Sequence, residues 1–169
     1  MRKAFVFTSI LILFFSSTSY SEGPVIEETW NDTCTRCVLD WTDGDPVYTG
    51  PAVYTLNGCT QHRSEIVPWK EYVGIPKGWI TCVITVPGTP APSDGYDVII
   101  RGEYGCEIMG GELMDRSATV PQQATARIGN AYDKRFIDYD RLTFKIEGNS
   151  VPLAKGKVVI FIERWLPPR

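Results

Sequence analysis

Residues 79–86 read WITCVITV, and the fold turns on that octet. Ile80, Cys82, Ile84 and Val86 occupy every second position. A strand shows successive side chains to opposite faces, so this spacing predicts a β-strand with one apolar face. Two further segments repeat it. In YDVIIRGEYGCEI (96–108), Tyr96, Val98, Ile100, Gly102, Tyr104, Cys106 and Ile108 share one side, against Asp97, Arg101, Glu103 and Glu107. In RLTFKIEG (141–148), Leu142, Phe144 and Ile146 oppose Arg141, Thr143, Lys145 and Glu147. PAVYTLNG (51–58) and TARIGNAY (125–132) carry fainter versions. Turn-forming residues separate the segments: DGDP (43–46), NG (57–58), PGTPAPSDG (87–95), GG (110–111) and EGN (147–149). No window sustains a 3.6-residue period through three turns. Short alternating strands with this punctuation predict an all-β sandwich with Greek-key connections. Without an internal repeat or linker, the expectation is one domain.

The opening residues have a different character. Arg2 and Lys3 precede the apolar run AFVFTSILILFF (4–15), then SSTSYS with small residues at 19 and 21. That order predicts a secretory signal peptide over residues 1–21 and a single β-sandwich domain over 22–169. The apolar run is shorter than the roughly 20 residues a membrane span needs, so no membrane span is expected after processing. The leader holds 2 of the 17 basic residues and none of the 20 acidic ones, giving 15 − 20 = −5 for the processed chain. A mildly acidic chain without a basic cluster argues against nucleic acid and anionic membranes as partners.

Five cysteines follow the leader: Cys34, Cys37, Cys59, Cys82 and Cys106. Export places them in an oxidising compartment, so disulfides are expected and all five are candidates. An odd number leaves at least one over. Cys82 and Cys106, on the apolar sides of consecutive expected strands, form one candidate pair. One member of CTRC (34–37) with Cys59 forms its complement, the neighbour staying free. A redox CxxC wants a helix start that lowers the thiol pKa, and VLDWTDGDP offers no such helix. Cys34, Cys37, Cys59 and His62 also spell a CxxC…CxxH zinc pattern, which the oxidising compartment disfavours. No metal or other cofactor is expected.

With His62 as the only histidine, nucleophilic triads have a single base available. GxSxG, HExxH and phosphate-loop motifs are absent. The acidic pairs Asp43/Asp45 and Asp138/Asp140 read as turn and solvated-surface residues rather than glycosidase carboxylates. No enzyme is predicted. The five tryptophans (30, 41, 69, 79, 165) and eight tyrosines suit a binding surface, with sugar faces among the ligands aromatics accept, although most such rings serve a core.

The last segment is SVPLAKGKVVIFIERWLPPR (150–169). Five large apolar residues run from Val158 to Ile162. Such a strand is either central, buried on both faces, or an edge that another chain completes by β-augmentation. The phrase PLAKGKVVIFI, with Gly156 fourteenth from the end, resembles the C-terminal strand of subunits from chaperone–usher fimbriae. That resemblance implies an immunoglobulin-like, incomplete sandwich. It also implies a groove bordered by Gly156, Val158, Ile160, Ile162 and Trp165, filled by a strand of a periplasmic chaperone, then of a neighbouring subunit. With Pro168 where the family carries an aromatic, and five cysteines, it implies a minor, tip or terminating subunit. The same likeness implies assembly at an usher in the periplasm, a place in the fimbrium and adhesion to a carbohydrate receptor. A stand-alone secreted binding protein, such as an enzyme inhibitor closed by disulfides, is the alternative expectation.

Overall fold

The protein is described by a computed structural model over residues 25–44, 54–61, 72–74, 77–137 and 141–165. His62, Trp69, Asp45, Asp138 and Asp140 lie outside the described residues, as does the expected leader. The strands are β1 (Val25–Trp30), β2 (Arg36–Thr42), β3 (Tyr54–Thr55), β4 (Cys59–Gln61), β5 (Tyr72–Gly74), β6 (Gly78–Pro87) and β7 (Asp97–Arg101). They continue with β8 (Gln122–Ala124), β9 (Arg127–Ile128), β10 (Ala131–Tyr132), β11 (Arg135–Ile137), β12 (Thr143–Glu147) and β13 (Lys155–Arg164). The described residues form no helix, so the all-β expectation holds.

The larger sheet runs β1-β2-β13-β6-β11, with β8 also on β6; the smaller runs β3-β12-β7. All their pairings are antiparallel. The outer edge of β7 is completed by residues 107–116, through Ile108 N–H to Ile100 O (2.9 Å), Leu113 O from Val98 N–H (2.9 Å) and Arg116 N–H to Tyr96 O (2.7 Å). The chain passes between the two sheets at β2→β3, between β3 and β6, at β6→β7, between β7 and β8, at β11→β12 and at β12→β13. Its pairs are therefore nested: β12 returns between β3 and β7, and β13 returns between β2 and β6. This is the double Greek-key winding of a jelly roll. It corrects the immunoglobulin-like order, in which the two sheets are ABED and CFG.

The core lies between the sheets. Leu39 and Trp41 from β2, Ile80 and Val83 from β6, and Val158, Ile160 and Ile162 from β13 meet Val98, Ile100, Leu142 and Phe144 from the other side, all buried. Each fully buried aliphatic of this kind contributes about 1.5–3 kcal/mol. Alternation in 96–100 and 142–146 is as the sequence expects: Tyr96, Val98, Ile100, Leu142 and Phe144 are inside. Val98 stands opposite Ile146, and Ile100 opposite Phe144.

Two expectations are corrected. The strand expected over 96–108 stops at Arg101, because Gly102–Cys106 forms a tight turn with Gly105 N–H to Gly102 O (2.9 Å) and Gly102 N–H to Cys106 O (3.0 Å). Tyr104 and Cys106 are therefore exposed rather than core-facing. In β6 the register slips opposite Phe161/Ile162: Phe161 faces Cys82 while Ile162 faces Ile80, leaving Thr81 as the extra residue of a β-bulge. The bulge reverses the phase. Ile80, Val83 and Thr85 point in, and Cys82 and Ile84 are only half-buried.

Candidate functional site

The C-terminal strand is where sequence and structure part most clearly. On one side β13 pairs with β2 from Lys155↔Thr42 to Phe161↔Arg36; on the other it pairs with β6 from Gly156↔Pro87 to Arg164↔Gly78. Even Ile162 has its N–H on Thr35 O at 2.8 Å. Val158, Ile160 and Ile162 are buried in the chain's own core. Gly156 is closed in as well, since a Cβ there would meet the Trp41 ring at 2.6 Å. The groove expected beside Gly156, Val158, Ile160, Ile162 and Trp165 is thus corrected: the strand is central. Its apolar residues need cover on both faces because it has neighbours on both edges.

What remains outside is the other half of β13. Its outward side chains are Lys155, Lys157, Val159, Phe161 and Glu163, with Trp165 just beyond. Val159 stands between Val38 and Ile84, and Phe161 beside Cys82; all five are half-buried and outside the core cluster. The strip ends in an aromatic corner. Trp79 and Phe136 face each other across β6 and β11, with ring centroids 4.7 Å apart. The Lys77 ammonium lies 5.0 Å from the Trp165 ring centre and 5.6 Å from that of Phe136. Trp165 is pinned by its N–H to Lys77 O (3.0 Å). Trp79 is 38% and Trp165 45% exposed, unlike Trp41, which is in the core. Ion pairs flank the strip at both ends: Lys157–Asp40 at 2.7 Å, and Lys134 with Glu163. Sequence reasoning placed Trp165 at a partner surface and counted Trp79 among the rings suited to a binding surface, but missed Phe136, Val159 and Phe161. The usable signal is the same alternation of β13 read in its other phase.

The larger sheet's edge is fastened by one carboxylate. Glu28 on β1 accepts the Trp30 indole N–H (2.6 Å), the Tyr54 hydroxyl (2.9 Å), and backbone N–H groups of Asn57 (2.7 Å) and Gly58 (2.8 Å). Burial first, then the hydrogen bond to Glu28, pushes the Tyr54 phenol up to about 12. Burial, with Glu28 second, also raises the Cys37 thiol well above its ordinary range.

The cysteines separate by environment. CTRC runs from the β1–β2 hairpin turn, which holds Cys34, into β2, which holds Cys37, and Asn31 Oδ1 accepts the N–H groups of Thr35 and Arg36, both at 2.9 Å. Cys37 is a buried free thiol, Cys82 a half-buried one raised by burial, and Cys106 an exposed one. The Cys82–Cys106 pairing is thereby corrected: the bulge turns one sulfur outward and the Gly102–Cys106 turn carries the other into solvent. Asp43 is a turn residue, accepting from Gly44 N–H (2.9 Å) and the Asn149 amide (2.6 Å). Among the described residues no group of three or more His, Cys, Asp or Glu is placed to hold a metal, and no helix is long and apolar enough to cross a membrane.

Comparison with protein-family models, curated proteins and solved structures gives no match to this chain.

Proposed function

We propose that this is an exported, stand-alone binding protein, an inhibitor-like module that holds a protein partner on the outer face of its larger sheet. The observation that carries the reading is the apolar outward half of β13. Val159 and Phe161, with Val38, Ile84, Trp79, Phe136 and Trp165 around them, form a band that the core does not use. Contiguous apolar surface rimmed by charge has the anatomy of a protein interface, and aromatic residues anchor such interfaces. The fimbrial reading draws on the same strand but needs an open edge along it. With β13 paired on both sides, the stand-alone reading is favoured.

A disulfide between Cys34 and Cys59 belongs to the same proposal. It is the pairing left when Cys37, Cys82 and Cys106 are free, and Cys34 is the CTRC sulfur that is not a free thiol. Asn57 and Gly58, directly before Cys59, are already bonded to β1 through Glu28.

Photo-crosslinking in the producing cell tests the interface. A crosslinker replacing Val159 or Phe161 should trap one protein species, and one replacing Lys145 on the smaller sheet should not. Trp79→Ala should abolish the adduct while leaving the fold intact. Equal trapping from Lys145, or adducts only with polysaccharide, would contradict the reading.

A further inference from the structure

At the Gly156 end of the same face lies a half-open cavity of about 380 Å³, lined among others by Glu27, Asp40, Lys155 and Lys157. That volume is at the small end of the roughly 300–1,000 Å³ typical of ligand sites. Register places Glu27 opposite Asp40 and Asp40 opposite Lys157. One row along, Val25 faces Thr42, and Thr42 faces Lys155. The four charges do not cancel locally in pairs. Asp40 is matched by Lys157 at 2.7 Å. Among the described residues, the Glu27 carboxylate and the Lys155 ammonium have no ion-pair or side-chain hydrogen-bond partner. They sit on β1 and β13, Glu27 in the row of the compensated pair and Lys155 two residues along β13 from Lys157.

The geometry points to a binding site for a short zwitterionic peptide, its ammonium on Glu27 and its carboxylate on Lys155. Strands lie about 4.8 Å apart, and residues two along a strand about 6.8 Å, so the two Cα atoms are roughly 12 Å from each other. Side chains stand roughly perpendicular to a sheet, so the two charged heads keep about that separation. Two charge-assisted contacts of about 2.8 Å leave a gap of roughly 6 Å, which suits a dipeptide, whose extended length is about 7 Å, better than the closely spaced charges of a free amino acid. Val25 supplies apolar wall, and the backbone at Gly88 and Gly156 supplies floor. Neither glycine has room for a side chain: at Gly88 a Cβ would meet the Lys155 backbone at 2.8 Å, and at Gly156 it would strike Trp41. The Gly88 N–H is bonded to Lys155 O (2.8 Å) and the Lys155 N–H to Pro90 O (2.8 Å), so the cavity rim is fixed to β13.

Calorimetric titration of the full processed chain with glycyl-leucine, its N-acetyl form and its C-terminal amide tests the assignment. Glycyl-leucine should bind at least about tenfold more tightly than either blocked form, as expected when a charge-assisted contact is removed. Glu27→Gln should bring glycyl-leucine and the N-acetyl form to equal affinity. Lys155→Met should do the same for glycyl-leucine and the amide. Both side chains are exposed, and circular dichroism checks that the variants are folded. Blocked and free peptides binding alike, or no binding of glycyl-leucine to the unaltered chain, would overturn the proposal. Trp79→Ala lies at the far end of the face and should leave the titration unchanged, so the outcome is independent of the protein-interface reading.

Discussion

Tyr54 on β3 donates its hydroxyl to the Glu28 carboxylate on β1 at 2.9 Å, and this bond joins the smaller sheet to the edge strand of the larger one. Glu28 gathers the donors of Trp30, Tyr54, Asn57 and Gly58 around one side chain. Removing the acceptor leaves several partly buried donors unsatisfied at once. Glu28→Ala should therefore cost about 2 kcal/mol or more of stability, read as a lower midpoint in urea unfolding.

Burial of Tyr54, and after it the same contact with Glu28, sets an alkaline signature. The folded-state pKa of Tyr54 is raised to about 12 from an ordinary value of 10. The unfolded chain thus loses this proton first. The stabilisation is fully present below about pH 10 and is lost as pH rises through about 12. Phenolate absorbance should show one tyrosine titrating late in the native protein, shifting back toward 10 in Glu28→Gln. An unchanged titration in that variant would separate Tyr54 from Glu28.

Thiol chemistry should follow exposure. Cys106 is exposed on its turn, Cys82 half-buried and Cys37 buried, and only thiolates react. A maleimide reagent at neutral pH should label Cys106 first, Cys82 more slowly and Cys37 only on unfolding. Peptide mapping without reduction should recover Cys34 joined to Cys59. Recovery of Cys34 as a free thiol would refute that bridge.

At Gly156 the packing against Trp41 leaves no space for a methyl group. Gly156→Ala should destabilise by about 1–3 kcal/mol, the usual cost of overpacking. Ile160→Asp should be far worse, burying an unpaired charge between the sheets. A folded, fully stable Ile160→Asp protein would mean that this side chain does not face the core.

The fold class was legible because buried strands leave a period of two. Val98, Ile100, Leu142 and Phe144 were placed correctly on that ground. Cys82 was not. A bulge adds one residue without a glycine or proline to mark it, and both phases of β6 carry large apolar residues, Trp79 and Val83 in one and Ile80 and Ile84 in the other, so alternation alone does not locate the reversal after Thr81. Cys106 was misplaced because alternation ran on across a turn that Gly102 and Gly105 had already signalled. The strand Val158–Ile162 was legible as needing cover on both faces. Its neighbours were not, because β2 and β6 are far from it in sequence and only the winding of the chain brings them to its two edges. The aromatic corner was missed for the same reason: Lys77, Trp79, Phe136 and Trp165 meet through strand pairing across three strands.

That the chain completes its own sandwich is tested most directly by amide hydrogen exchange along β13 in the purified protein. A central strand has every amide bonded to one neighbour or the other, whereas an edge strand protects only alternate residues. Val158, Val159, Ile160, Phe161 and Ile162 should all be among the slowest-exchanging amides, without alternation. Fast exchange at every second residue of that run would show an open edge and contradict the account.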